Sequence, residues 1–374
     1  MTIKVLFLFT YLLFLGCESK QVHIGLAVFD TYCLETSDGQ SSMTMADVNS
    51  DGHMDLVVAN ESHNEVVVFL GDGSGALNKA SRTEAGENPT SVDAGDINGD
   101  GYVDLVIANH ETAYITLLLG DGKGNFQPAS NSPYGIPVDP HPHFIRIADM
   151  DQDGSLDLVV DHRGSGGLLI LKGLGDGGFA SPPQLVHGGG DPYRGFAVED
   201  LNGDQRPDFV TPNPREVGIT LSSGATGLTF APTFTLSSHS PFAVGVSDMN
   251  GDGEVDIIAA SAEGRDPVQV FLAQNGTYIQ DSAPLRFSMA SGAKQIITGD
   301  INGDQYGDVI VGSWNSDVLV VQGAEDDFLM TQLEASGAPW GMAIGDLNND
   351  GSDDFVIGDG ETERIKVYIT TRDQ

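Results

Sequence analysis

Seven times along the chain the sequence writes Asp-x-(Asn/Asp)-x-Asp-x-x-x-Asp, a nine-residue spacing of side-chain oxygens that can wrap a cation. The first three copies are Asp47, Asn49, Asp51 and Asp55; Asp96, Asn98, Asp100 and Asp104; and Asp149, Asp151, Asp153 and Asp157. The other four are Asp200, Asn202, Asp204 and Asp208; Asp248, Asn250, Asp252 and Asp256; Asp300, Asn302, Asp304 and Asp308; and Asp346, Asn348, Asp350 and Asp354. Carboxylates packed this closely repel by roughly 4 kcal/mol per pair at an effective dielectric near 20, so a counter-ion belongs with each group. Oxygen donors at positions 1, 3, 5 and 9, with a backbone carbonyl at 7, suit calcium, and up to seven ions are expected. An EF-hand is excluded, because its position-12 Glu is replaced by Val58, Ile107, Val160, Thr211, Ala259, Val311 or Ile357. Position 6 is Gly in five copies but Gln205 and Gln305 in two. If the backbone is left-handed there, Gln costs roughly 1 kcal/mol relative to Gly, so the fourth and sixth loops are expected to bind more weakly.

The elements that carry these loops follow from the repeat. The copies start 46 to 53 residues apart by subtraction, a period of blades or solenoid turns. Each is preceded by a short alternating stretch and followed by an apolar run such as Leu105-Val106-Ile107-Ala108. A second run, a Gly-rich hairpin and a more polar stretch complete the unit. Four short strands per unit, seven times over, predict an all-β fold: a seven-bladed β-propeller. After the last motif the chain supplies only two more strands. Residues 27–34 are therefore expected to pair with 365–369 as the missing outer strand, closing the seventh blade and leaving no open edge.

Composition narrows the function classes. With Asp+Glu 54 against Lys+Arg 17 and a formal net charge of -37, the chain lacks the cations that nucleic acid or anionic lipid would require. Seven divalent ions, at two charges each, would bring that to -23. Residues 5–15 are apolar and follow Lys4, too short for the ~20 residues of a spanning helix but suited to an export signal. The run closes on Phe14-Leu15-Gly16-Cys17, which resembles the bacterial lipobox with Phe14 in place of the usual Leu. That resemblance implies lipidation of Cys17 as the first mature residue, leaving Cys33 as a buried strand residue. The alternative to the lipobox is an ordinary cleaved signal with an incidental cysteine, and a Cys17-Cys33 disulfide is the competing use of the two cysteines. Glu18 is not the Asp that marks inner-membrane retention, which implies an outer-membrane or surface location; secreted or periplasmic is the alternative. The expected organisation is signal 1–16, tether 17–26 and propeller 27–374.

The loops, their Gly-Asp and Asp-Leu-Val flanks, and the hairpins at residues 71–77 and 120–126 resemble FG-GAP/VCBS repeats, the units of the integrin alpha-subunit propeller and of many exported bacterial proteins. Propellers similar to these serve as adhesion domains, as lectins and as scaffolds of some polysaccharide lyases. In a four-stranded meander the metal loops share one face, and the opposite face collects most histidines and both tryptophans. The link 131–143, with four prolines, is expected to overhang the channel mouth there. The resulting expectation is a monomeric, non-enzymatic binding or adhesion module for a glycan or surface protein, touching membrane only through a lipid anchor. A polysaccharide lyase using His143, His162, Tyr193 and Arg194, or an envelope assembly scaffold, are the alternatives.

Overall fold

The run after each closing Asp is apolar at successive rather than alternate positions, the pattern of a strand covered on both faces. A computed structural model describes residues 6–7 and 20–371, except 26, 138–141, 163–165, 191–194, 225–226, 264–267, 276, 279–284, 288, 290–291, 326–327 and 336. It places these runs as the second strands of seven antiparallel sheets: Asp55–Asn60, Asp104–Asn109, Asp157–His162, Asp208–Asn213, Asp256–Ser261, Asp308–Ser313 and Asp354–Asp359. Six are buried at every position, and only the terminal His162 of the third escapes. The inner strands are Gln40–Ala46, Pro89–Gly95, Ile145–Ala148, Ala197–Glu199, Pro241–Ser247, Ala293–Gly299 and Pro339–Gly345.

Seven apolar clusters lie between consecutive blades. Met43, Leu56, Val58 and Val67, for example, pack on Leu34, Ala343, Leu347, Val356 and Ile365, joining the first blade to the seventh. That contact closes the ring, because each blade then buries both faces against neighbours. The predicted clasp is present. Ala27–Glu35 pairs antiparallel with Arg364–Thr370, with Cys33 opposite Lys366 and Leu34 opposite Ile365.

Three details differ from expectation. Residues 20–24 are not tether: Lys20–Ile24 pairs with 27–31 as a fifth strand of the seventh blade. Val22 and Ile24 are buried beside Phe29 while Lys20, Gln21 and His23 are exposed, an alternation that explains the strand. The link after the second blade does not begin as an overhang, since Tyr134–Gly135 pairs with 114–115 and extends that blade's outer edge. Cys33 is half-buried and disulfide-bonded rather than a buried free thiol. The export signal, Cys17, Tyr193 and Arg194 lie outside the described residues, apart from a two-residue strand, Leu6–Phe7, along the outer edge of the sixth blade.

Glycine matters where blades meet. Gly75, Gly124 and Gly177, at φ +86, +79 and +79, donate their N–H groups to Leu347, Val48 and Ile97, each in the acidic loop of the preceding blade. A side chain there would be strained whatever the space.

Candidate functional site

The seven acidic loops adopt one conformation. The N–H of position 6 donates to the position-1 carboxylate in every copy, from Gly52 to Asp47 (2.8 Å) round to Gly351 to Asp346 (2.8 Å). All seven position-6 residues have positive φ, including Gln205 (+68) and Gln305 (+73), so the backbone that makes Gln costly is present. The position-5 N–H donates to position 1 in every loop, and to the Asn at position 3 in the six that carry one. In those six loops positions 1 and 3 thus turn their oxygens toward the same backbone N–H.

Positions 3 and 5 are also tied to each other, which their spacing as two separate ligands did not anticipate. The side-chain amide of Asn49 donates to Asp51 (2.8 Å), Asn98 to Asp100 (3.1 Å), Asn250 to Asp252 (3.2 Å), Asn302 to Asp304 (2.9 Å) and Asn348 to Asp350 (3.1 Å). In the fourth loop Asn202 accepts the Asp204 N–H at 2.9 Å. The second oxygen of each position-5 Asp accepts the N–H two residues on, as Asp51 does from His53 and Asp204 from Arg206. These six loops therefore differ from the expected ring of free donors. In five of them the Asn amide takes up part of the position-5 charge, and each oxygen that accepts one hydrogen bond keeps a single lone pair for any cation. Among the described residues, three acidic side chains meet around one point only in the third loop, where Asp149, Asp151 and Asp153 each offer an oxygen within 4.8 Å of the others.

Position 9 has a second task that spacing alone did not reveal. In each blade its side chain is fully buried. One oxygen accepts the N–H of position 2, and the other accepts an N–H at the end of the third strand. For Asp104 these donors are Ile97 (3.2 Å) and Gly120 (2.9 Å), and for Asp354 they are Leu347 (2.8 Å) and Thr370 (2.7 Å). The carboxylate therefore rivets the loop to the far end of its own blade. Burial, opposed by these N–H groups and reinforced by repulsion from positions 1 and 5, or 1 and 3 for Asp157, pushes the pKa of Asp55, Asp104, Asp157 and Asp208 up to about 6 and of Asp256 and Asp354 up to about 7. Asp308 is raised well above its ordinary value for the same reasons. A cluster whose ionisation is this unfavourable fits a divalent cation, which relieves the repulsion.

The third loop stands apart. It alone has Asp at position 3, and its triad could hold a metal ion. It also has an ammonium of its own. Lys172 donates to Asp151 and, at 2.8 Å, to Asp153. These bonds raise the lysine pKa and lower that of Asp153. At the same register the other blades carry Leu70, Leu119, Leu221, Leu272, Gln322 and Ile369. The extra acid and the only lysine have been placed against each other. Lys172→Met is expected to cost about 1–2 kcal/mol in chelator and to add affinity for one calcium ion, read by denaturation and calorimetry.

On the opposite face the predicted residues divide. Asn109 and Asn213 are buried fasteners, donating to Ala85 and Gly188 carbonyls, and Asp161 accepts the N–H groups of His143 (2.8 Å) and Phe144 (2.7 Å). His143 is itself buried, with Nδ1 3.3 Å from Asp161 and its ring 4.4 Å from that of His110. His162 points elsewhere, Nε2 lying 3.2 Å from the Pro137 carbonyl. The face opens on an axial cavity of about 330 Å³ to which all seven inner strands or the residues just before them contribute, Ser41, Thr90, His143, Phe196, Val244, Lys294 and Trp340 among them.

With this geometry the comparisons with known proteins agree. FG-GAP-like repeats match residues 47–107, 96–160, 248–311 and 300–357, more than half of the chain. The chain belongs to the FG-GAP-like repeat family. Human (Homo sapiens) cartilage acidic protein 1 is 27% identical to this FG-GAP-like protein over 133 residues, 32% of the chain but only 20% of that relative's length. Among solved structures, BBS1N in complex with ARL6DN is similar at TM-score 0.65 and 14% identity, covering 92% of this chain and 98% of that one. A lectin from Agrocybe aegerita that recognises non-reducing terminal N-acetylglucosamine gives TM-score 0.54 at 20% identity, covering 87% and 94%. Virginiamycin B lyase from Staphylococcus aureus gives 0.58 at 12%, covering 91% and 99%. These structural likenesses establish the shared fold.

Proposed function

We propose that this FG-GAP-like propeller is a calcium-stabilised, non-enzymatic binding module held at the cell envelope, with a glycan or another surface protein as its ligand. Calcium in the six Asn-bearing loops is part of that proposal, supported by the conformation they share with the acidic triad of the third. The observation that carries the reading is the axial cavity, which runs along the inner strands and is lined by aromatic, basic and small polar groups among apolar ones. Concave sites with a few convergent polar groups are where ligands bind. A propeller recognising a terminal sugar and another in complex with a protein partner show that the fold serves both uses in other proteins.

The lyase alternative asks a Tyr or His to abstract a proton, and one candidate for that base is His143. Its side chain is 0% exposed and engaged by Asp161, an arrangement that holds the link in place rather than presenting a base to a polymer. The envelope location rests on the export signal and on acylation of Cys17, which competes with the disulfide at Cys33 because the chain has only two cysteines. Intact mass of the mature protein separates the two. For the ligand, a glycan array run beside an absorbance assay for unsaturated uronate is expected to show saturable capture without turnover. Turnover, or specific co-purifying proteins with no sugar capture, would replace this reading with the lyase or the assembly scaffold.

A further inference from the structure

The third acidic loop lacks a donor that its counterparts have, and its blade supplies one from elsewhere. In five loops the side-chain amide of the Asn at position 3 donates to Oδ2 of the position-5 Asp, while Oδ1 of that Asp accepts the N–H of position 7. Asp151 stands at position 3 of the third loop, and a carboxylate has no N–H to give. Lys172 gives one instead. Its Nζ lies 2.8 Å from the corresponding oxygen, Asp153 Oδ2, and also donates to Asp151 Oδ2, while Asp153 Oδ1 accepts the Ser155 N–H (2.9 Å) as in the other loops. The reach follows from the position-9 rivet. Asp157 accepts the Gly173 N–H (2.7 Å), and the Ala180 N–H donates to the Lys172 carbonyl (2.8 Å), so residue 172 is pinned beside its own loop.

This exchange leaves one oxygen open. The Asn at position 3 of the other six loops engages its Oδ1 with the position-5 N–H at 2.8–3.0 Å, but in the third loop that N–H donates to Asp149. Asp151 is 6% exposed, and its Oδ1 has no hydrogen-bond partner among the described residues. A buried carboxylate oxygen without a donor is unfavourable, and a cation bound there relieves the cost. Charge is matched as well. With position 9 set aside, three carboxylates less one ammonium leave the third loop the same two negative charges as the Asp, Asn and Asp of the others. We infer that the third loop is the tightest divalent-ion site of the ring and that Lys172 is its positioning residue. The ammonium holds Asp153 and cancels the extra acid, so Asp151 keeps a charged oxygen that no N–H has claimed. Affinity in oxygen sites follows the number of charged ligands and the rigidity of the loop. This rests on the calcium reading of the loops and ranks them.

The full-length mature protein, stripped in chelator, is titrated with calcium under native mass spectrometry, which counts ions, and by calorimetry, which ranks them. One ion is expected to bind more tightly than the rest, by about tenfold or more. Asp151→Asn and Asp151→Ser should each merge that step with the others. Lys172→Met leaves the loop a third, uncompensated charge, so it is expected to raise affinity for lanthanum(III) about fivefold or more beyond its effect on calcium, and Lys172→Arg to keep the wild-type ratio. A lysine that only braced the strand would not move that ratio. A tight step that survives both Asp151 substitutions, or ions of equal affinity throughout, would overturn the ranking while leaving calcium in the loops. A lanthanum-to-calcium ratio unmoved by Lys172→Met would overturn the part given to Lys172. A chain that binds no calcium at all would sink the calcium reading itself, and the ranking with it.

Discussion

Asp104→Ala is expected to destabilise the propeller by about 2–5 kcal/mol, in chelator as much as in calcium. The reason is the pair of buried N–H groups, Ile97 and Gly120, that the two carboxylate oxygens satisfy at 3.2 and 2.9 Å. Each donor left unpaired costs about 1–3 kcal/mol, and no solvent reaches a side chain that is 0% exposed. Asp104→Asn keeps one acceptor and turns an amide N–H₂ toward the other donor, so roughly half of the loss is expected. Urea unfolding of both variants decides the matter. If position 9 were only a metal ligand, Ala and Asn would behave alike in calcium and neither would matter once calcium is removed. A loss confined to the calcium-loaded state would therefore refute the rivet described for the seven blades.

The sequence showed the blades because each repeat states its own local rule: an unbroken apolar run for a strand covered on both faces, and Gly where the backbone turns left-handed. It also showed the clasp, since the last repeat writes three strands of its blade and residues 27–34 carry the pattern of the fourth. Long-range partners were beyond it. Asp104 meets Gly120 sixteen residues away, across a hairpin whose register spacing does not report. Lys172 is distant in sequence from Asp151, and only the fold turns it onto that carboxylate. Even within a loop, spacing marked Asn98 and Asp100 as two oxygen donors without revealing that the amide of one donates to the carboxylate of the other. Nor does spacing report that Asn109 and Asn213, as buried polar groups at a strand end, are drawn to the carbonyls of the adjoining link. The basic lining of the channel was equally hidden. Arg146 and Lys294 occupy alternating stretches whose inward face is fixed by ring closure, a property of all seven repeats together.

Calcium should control stability, and its effect should grow with pH. Six of the seven position-9 carboxyls titrate at about 6 to 7 in the folded, metal-free protein, against an ordinary 3.8. Between about pH 4 and 7 the native state therefore binds more protons than the unfolded chain. The stability this lends is fully present below that window and is lost as pH rises through the folded values. A divalent ion acts in the opposite sense, because it binds the ionised loops and replaces the missing protons. With affinities of about 10⁻⁴ to 10⁻³ M, millimolar calcium contributes about 0.4–1.4 kcal/mol per loop. Over seven loops that is about 3–10 kcal/mol, or about 4–13 °C in melting temperature for a chain of this size. Scanning calorimetry in calcium and in excess chelator should show that gap at pH 8 and a much smaller one at pH 5, with the chelated protein melting higher at pH 5 than at pH 8. A gap independent of pH would place calcium away from the position-9 carboxylates, and no gap at all would mean that backbone hydrogen bonds alone hold the acidic loops closed.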